Sequence, residues 1–406
     1  MKRVVVTGMG LRTPLGHDAD QLFDRMLAGE TGIRPQPAWA EVGELGASLG
    51  ASVEDFDEQV IPRKYRRTMG RLAQMSVASA LDAVAMSELP AEVVAGERTA
   101  VIAGSTVGSP HAEEVFWEHL LTRKSARGVR STLFFHGMSH TISANVALMV
   151  GARGEVMATN SACASSTQAI GVAADRIRAG RAEIALAGGG EELHVASAIV
   201  FQSLGAVSSQ ASPDAAPRPF DRARDGIVVG EGAAMLVLEE REHALRRGAP
   251  ILGEILGFGT TCDAEHMANP DPAGMMSAIR ACLRDAGDVS TIDYVNAHAT
   301  GTPAGDAAEA QAILELVGDG VPVSSSKGHL GHLLGGCGVV EAIVCLQAMR
   351  RGVAPPTRNL ADPDVAPIRL LREPHEAPLH RCLSTSFAFG GVNAVLLLGD
   401  EPGARS

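Results

Sequence analysis

The chain has 406 residues, enough to bury a large core, and at 46% hydrophobic and 20% charged it has the composition of an ordinary globular protein. Its formal net charge of −12 argues against nonspecific nucleic-acid binding, which depends on Lys and Arg neutralising phosphates. No apolar run approaches the roughly 18 residues needed to cross a bilayer, so no membrane span is expected.

From the N-terminus, MKRVVVTGMG combines a basic start with a short apolar run but lacks the longer core and cleavage site of a secretory signal. It is expected to be a buried first strand in a cytoplasmic protein. Short β-branched runs at 4–7, 100–103, 155–159, 184–187, 235–238 and 294–297 alternate with longer helical stretches. That rhythm predicts an α/β fold with functional residues at the carboxyl ends of buried strands. Gly8 and Gly10 follow the first strand, but Thr13 breaks the dinucleotide fingerprint and no P-loop is present. Two basic clusters come next: PRKYRR (Arg63, Lys64, Arg66, Arg67) and TRKSARGVR (Arg123, Lys124, Arg127, Arg130). They are either solvated charged faces or a docking surface for an acidic partner.

Cys163 lies between a strand at 155–159 and a helix from 164 onward, with Asn160 and Ser161 as suitable capping types. A cysteine at such a corner meets the positive end of the helix dipole, which favours the thiolate; its alternative is a small buried hydrophobe. The other five cysteines are scattered, with no C-x-x-C pair, so neither a disulfide framework nor a zinc site is expected. Residues 209–222 form the most loop-like stretch, and 244–250 is a plausible join between a half spanning 1–250 and one spanning 251–406. In the second half a strand delivers His298 to its end, followed by Thr300, Thr302 and a helix starting near Asp306. Lys327, one of only four lysines, precedes His329, His332 and Glu341 in a glycine-rich stretch. His329/His332 and His136/His140 have spacings that suggest metal, but neither pair has the H-E-x-x-H glutamate. Finally, LSTSFAFGGVNAVLLLG predicts two strands around a Gly390–Gly391 turn that can present backbone N–H groups to a ligand.

Four segments in this order, SACASS around Cys163, NAHATGTPAGDAAEA around His298, Lys327 with GHLLG around His332, and SFAFGGVN near the end, resemble the elongating β-ketoacyl-acyl-carrier-protein (ACP) synthases of fatty-acid and polyketide synthesis. The block APRPFDRARDGIVVGEGAA at 216–234 is also similar to that family, and the likeness covers essentially the full chain. The resemblance implies a thiolase-like fold, two related halves in αβαβα layers, as a homodimer or a heterodimer with a chain-length partner. It implies a decarboxylative condensation in which Cys163 carries the acyl chain and His298 and His332 stabilise the enolate formed from malonyl-ACP. The N–H groups of Cys163 and Phe389 would form the oxyanion hole, with Lys327 and Glu341 as a supporting charged pair. Thr300 and Thr302 would bind the pantetheine arm, Val107 and Phe201 would line the acyl pocket, and acidic ACP would dock on the basic clusters. Neither a redox cofactor nor a metal is implied. A non-catalytic chain-length partner and a metal-dependent hydrolase are the alternatives, the first opposed by the presence of Cys163. Cys337, Ala388, Val392 and His329 depart from the family's usual residues.

Overall fold

The apolar runs assemble into one mixed sheet of 11 strands in a computed structural model, which describes residues 2–287, 289 and 291–401. In chain order they are β1 (Val4–Arg12), β2 (Thr99–Gly104), β3 (Val156–Thr159), β4 (Ile184–Glu191), β5 (Gly232–Glu240) and β6 (Gly253–Cys262). β7 (Tyr294–Asn296), β8 (Pro322–Ser324), β9 (Arg369–Leu370), β10 (Arg381–Ala388) and β11 (Val392–Gly399) complete it. Each of the six expected strands forms, with ends that move by a few residues. β1 runs on to Arg12 through Gly8 and Gly10 because the helix α1 (Arg71–Ser87) lies against it. A Cβ at either glycine would come within 2.0 or 2.2 Å of the Ala83 or Ser79 carbonyl oxygen, so these glycines serve close packing.

The sheet order is β9-β8-β7-β10-β11-β6-β1-β5-β4-β2-β3. Outward from β1 the sequence β1-β5-β4-β2-β3 is repeated outward from β6 as β6-β11-β10-β7-β8, with the same parallel and antiparallel senses. The two arrays therefore have the same topology, and among the described residues their strands join where Val5 and Val6 of β1 pair with Glu254 and Gly253 of β6.

Helices α2 (Ser165–Arg178) and α5 (Cys337–Arg351) pack on one another between the arrays. On the outer faces lie α1 over one array and α3 (Pro272–Asp285) with α4 (Pro303–Leu316) over the other. This is the αβαβα, thiolase-like layering. The apolar core follows the layers: the central cluster combines Val4, Ile170 and Ile177 from one half with Ile343, Leu346 and Leu396 from the other. No helix among the described residues is long and apolar enough to cross a membrane.

Candidate active site

Each central helix is preceded, three residues earlier, by a non-glycine residue in the left-handed region: Ala162 (φ 47°) before α2 and Leu334 (φ 46°) before α5. Such a conformation costs a non-glycine residue roughly 1–2 kcal/mol. In the first half this corner turns Cys163 inward. Asn160 and Ser161 do not cap α2 as expected. Asn160 Nδ2 donates instead to the Ser105 carbonyl, Ser161 Oγ donates to Gln168 Oε1, and Ala164 is the N-cap of α2, without a side-chain cap. Local sequence could not show that these two side chains are claimed by neighbours brought in by the fold.

Cys163, His298 and His332 converge at the end of a cavity of about 300 Å³. The Sγ of Cys163 lies 3.0 Å from Nε2 of His332, and the two imidazole centroids are 5.3 Å apart at 80°. Phe201 and Phe389 stack loosely at 5.6 Å on the same wall, and Thr300 and Thr302, whose hydroxyls are 3.2 Å apart, line the passage outward. Asp263, His266, Met267 and Asn269 surround the opening. Gly390 and Gly391, at φ 85° and 70°, form the β10–β11 turn, and the Gly390 N–H donates to the Met267 carbonyl at 2.8 Å. The hairpin that carries Phe389 is thus tied to the rim.

Lys327 and Glu341 are buried behind the histidines and form an ion pair; Ser326 Oγ donates to the same carboxylate oxygen at 3.0 Å. Burial works against the Lys327 charge, yet the neighbouring Cys337 sulfur and the Glu341 carboxylate outweigh it and push the pKa up. That fixed cation reaches the rest of the site. Burial, reinforced by Lys327, holds both His298 and His332 well below the usual imidazole range, so both rings are neutral. The thiolate expectation at Cys163 is reversed in this enclosure. Burial pushes the thiol up to about 12, with Lys327 opposing it.

Three functional side chains escape sequence reasoning. Glu309 accepts from the backbone N–H groups of His298 (2.8 Å) and Ala299 (2.6 Å) and from Thr385 Oγ1 (2.6 Å), which sets the direction of the His298 segment. Asp306, expected only as a helix start, accepts from the N–H groups of Phe220, Thr300 and Gly301. Its helix begins earlier, at Pro303. Glu191 accepts from the N–H groups of Thr106 (2.8 Å) and Gly335 (3.1 Å), joining the loops on either side of the site. The available signal was an i,i+3 acid pair, Asp306 and Glu309, both turned inward.

Val107 is the other residue expected to line the acyl pocket. It lies outside this cavity and is 52% exposed, because the 105–108 turn is held from its inner side by Glu191 and by Ser105 Oγ. His329 does not join His332 in a ligand set. Both of its ring nitrogens face backbone carbonyls, Glu30 at 2.8 Å and Pro356 at 3.0 Å. His136 instead meets the Arg67 carbonyl. The ligand-type atoms of Cys163, His298 and His332 do lie within 4.8 Å of one another, as do those of His111, Glu114 and His194 at the surface.

Residues 1–244 match the family model described as beta-ketoacyl synthase, N-terminal domain, and residues 252–361 match its C-terminal domain. The chain belongs to the β-ketoacyl synthase family. The synthase is 37% identical to nodulation protein E of Rhizobium meliloti, over 97% of this chain and 98% of that one. It is 36% identical to the 3-oxoacyl-[acyl-carrier-protein] synthase 2 of Coxiella burnetii, over 98% of each. A crystal structure of a beta-ketoacyl synthase from Burkholderia phymatum superposes with a TM-score of 0.96 at 40% identity, covering 99% of this chain and 100% of that one.

On the synthase surface, Arg63, Lys64 and Arg67 stand exposed on and beside the short helix Arg63–Arg66, while Arg66 pairs with Glu58 at 2.5 Å. Arg123, Lys124, Arg127 and Arg130 are exposed at the end of the helix Pro110–Arg123 and in the loop after it. His136, which touches the Arg67 carbonyl, also feels the charge of Arg130, so the two clusters approach one another.

Proposed function

We propose that the synthase joins an acyl chain, held as a thioester on Cys163, to malonyl-ACP with loss of CO2, giving β-ketoacyl-ACP. The observation that carries this reading is the convergence of one thiol and two imidazoles at the end of a single cavity. In the first step one thioester replaces another. The Cys163 sulfur bonds to the acyl carbon, and the pantetheine thiol departs with the proton that Cys163 brought. Malonyl-ACP then places its thioester carbonyl against His298 and His332. As the malonyl carboxylate leaves as CO2, its electron pair passes into the enolate, whose oxygen is held by two fixed donors. The enolate carbon attacks the acyl carbonyl, the N–H groups of Cys163 and Phe389 hold the new oxyanion, and its collapse expels the Cys163 sulfur as a thiolate, which takes up a proton from water to restore the thiol.

Neutral imidazoles suit this work, because a neutral ring donates one hydrogen bond without demanding a counter-ion. Burial keeps them neutral, and the nearby Lys327 ammonium reinforces it. Thr300 and Thr302 receive the pantetheine arm, and Phe201 lies beside the acyl chain. These steps need no redox cofactor or metal, since decarboxylation itself generates the carbanion.

Acidic ACP docks on the surface bearing Arg63, Lys64, Arg67, Arg123, Lys124, Arg127 and Arg130, all exposed. The synthase works in the cytoplasm as a homodimer in which β3, at one edge of the sheet, faces its copy. Val156 (44% exposed), Leu148 (55%) and Phe134 (71%) support an interface on that side.

The decisive experiment replaces Cys163 with Gln, placing a neutral amide where the acyl thioester would lie. The expected outcome is no β-ketoacyl product but continued release of CO2 from malonyl-ACP. His298→Ala and His332→Ala should each lower CO2 release by about 10²–10³, the usual loss for an oxyanion donor. A folded glutamine variant that released no CO2 would overturn the division of labour.

A further inference from the structure

Cys337 occupies a position that the reaction above does not use, yet it touches the reacting centre. Its Sγ lies 3.0 Å from Nδ1 of His332, while Cys163 Sγ lies 3.0 Å from Nε2 of the same ring. A neutral imidazole carries one proton and can place it on only one of these sides. The condensing reading, on which this inference rests, requires that proton on Nε2, facing Cys163 and the malonyl oxygen. Nδ1 must then accept a hydrogen bond, and among the described contacts the only group placed to donate one is Cys337. His298 is different, since its Nδ1 is buried with no hydrogen-bond partner among the described residues.

We propose that Cys337 is a positioning residue for His332, its S–H donating to Nδ1 and so keeping the ring proton on Nε2, toward the reacting atoms. The geometry favours this direction of donation. Cys337 is 2% exposed at the first residue of α5, whose start is fixed by the Leu334 corner, so the thiol cannot swing to solvent. The Lys327 ammonium lies close enough to act on it, and a cation there attracts the sulfur lone pairs and leaves the S–H for the imidazole. His332 then enters the reaction as a preset donor. It stabilises negative charge first on the Cys163 sulfur and then on the enolate oxygen, and no base is needed, because the departing pantetheine thiol takes up the Cys163 proton.

The test compares full-length wild type, Cys337→Ala and Cys337→Ser. Nitrogen-15 NMR of histidine-labelled protein, with the His332 signals identified by their loss in His332→Ala, reports the tautomer directly. The expected result is a proton on Nε2 in the wild type and in the serine variant, whose hydroxyl still donates, and a mixture of tautomers in the alanine variant. In parallel, kcat for CO2 release from malonyl-ACP should fall roughly tenfold to a hundredfold in Cys337→Ala, the range found when the group orienting a ligating histidine is removed. KM should be unchanged, and Cys337→Ser should recover most of the rate. A wild-type proton on Nδ1, or alanine and serine variants that behave alike, overturns the proposal. Absence of CO2 release from the wild type would instead sink the condensing reading, and the NMR comparison would still decide the role of Cys337.

Discussion

Lys327 is an ammonium with 1% exposure, so its charge has to be answered within the protein, and Glu341 answers it. Breaking a buried pair by removing one partner leaves an uncompensated charge, at a cost of about 3–5 kcal/mol. Glu341→Ala should therefore lower the urea midpoint by an amount corresponding to that loss, and a shift below about 1 kcal/mol would show that the pair is not structural. Lys327 could be noticed in the sequence because lysine is scarce in this chain, and Cys163, His298 and His332 came from recognisable motifs. Glu191, the partners of Glu309 and the Cys337–His332 contact were not legible. Glu191 and Glu309 meet partners that only the fold brings to them, and the Cys337 thiol reaches a ring five residues away only through the turn around Leu334, which no local pattern encodes. The neutral Cys163 thiol was missed for a related reason. The helix terminus is visible in the sequence, whereas the dryness of the enclosure around it is not.

Among the elements, the contact of α2 with α5 sets the distance between the nucleophile and the histidines. It is closest at Gly338, where an added Cβ would lie 1.8 Å from Thr167 Oγ1 and 2.8 Å from its backbone nitrogen. Gly338→Ala should destabilise the fold by roughly 1–3 kcal/mol, as overpacking does, and should reduce turnover by shifting one half of the site against the other. Gly43→Ala, with nothing within 4 Å of the new methyl, is the control that should leave the melting temperature in place. The docking surface is the second test at this scale. Charge reversal at Lys64 and Arg127 should raise KM for ACP-borne substrates, most strongly at low ionic strength where exposed charges are least screened. Unchanged kinetics at low salt would remove that surface from the account. The strands and helices themselves were readable from apolar periodicity. Their pairing into two matching arrays was not, because β2, β4 and β5 are adjacent in the sheet but separated by long segments of chain.

For the molecule as a whole, buried titratable groups pull stability in opposite directions with pH. Burial lowers the pKa of His298 and His332 in the folded state, so their contribution is present above about pH 6.5 and is lost as the pH falls and the unfolded chain takes up protons. Burial raises Glu191 to about 7 from 4.5, so its contribution has the opposite sign and is lost as the pH rises through that window. Glu191→Gln removes that titration. Its stability relative to wild type should climb between pH 4.5 and 7 by up to about 3 kcal/mol, seen as converging and then crossing melting temperatures, and parallel curves would refute the assignment. The join between the halves bears on a different property. β1 and β6 meet over two residue pairs, but the central apolar cluster draws on both halves, and the connecting segment reaches the surface at Gly248, with nothing within 4 Å of a Cβ built there. Covalent continuity at that point is therefore dispensable in the finished molecule, although the companion fragment is not. A chain clipped at Gly248 should migrate as one particle and keep turning over, whereas either fragment made alone should aggregate, with activity returning only when both are synthesised together.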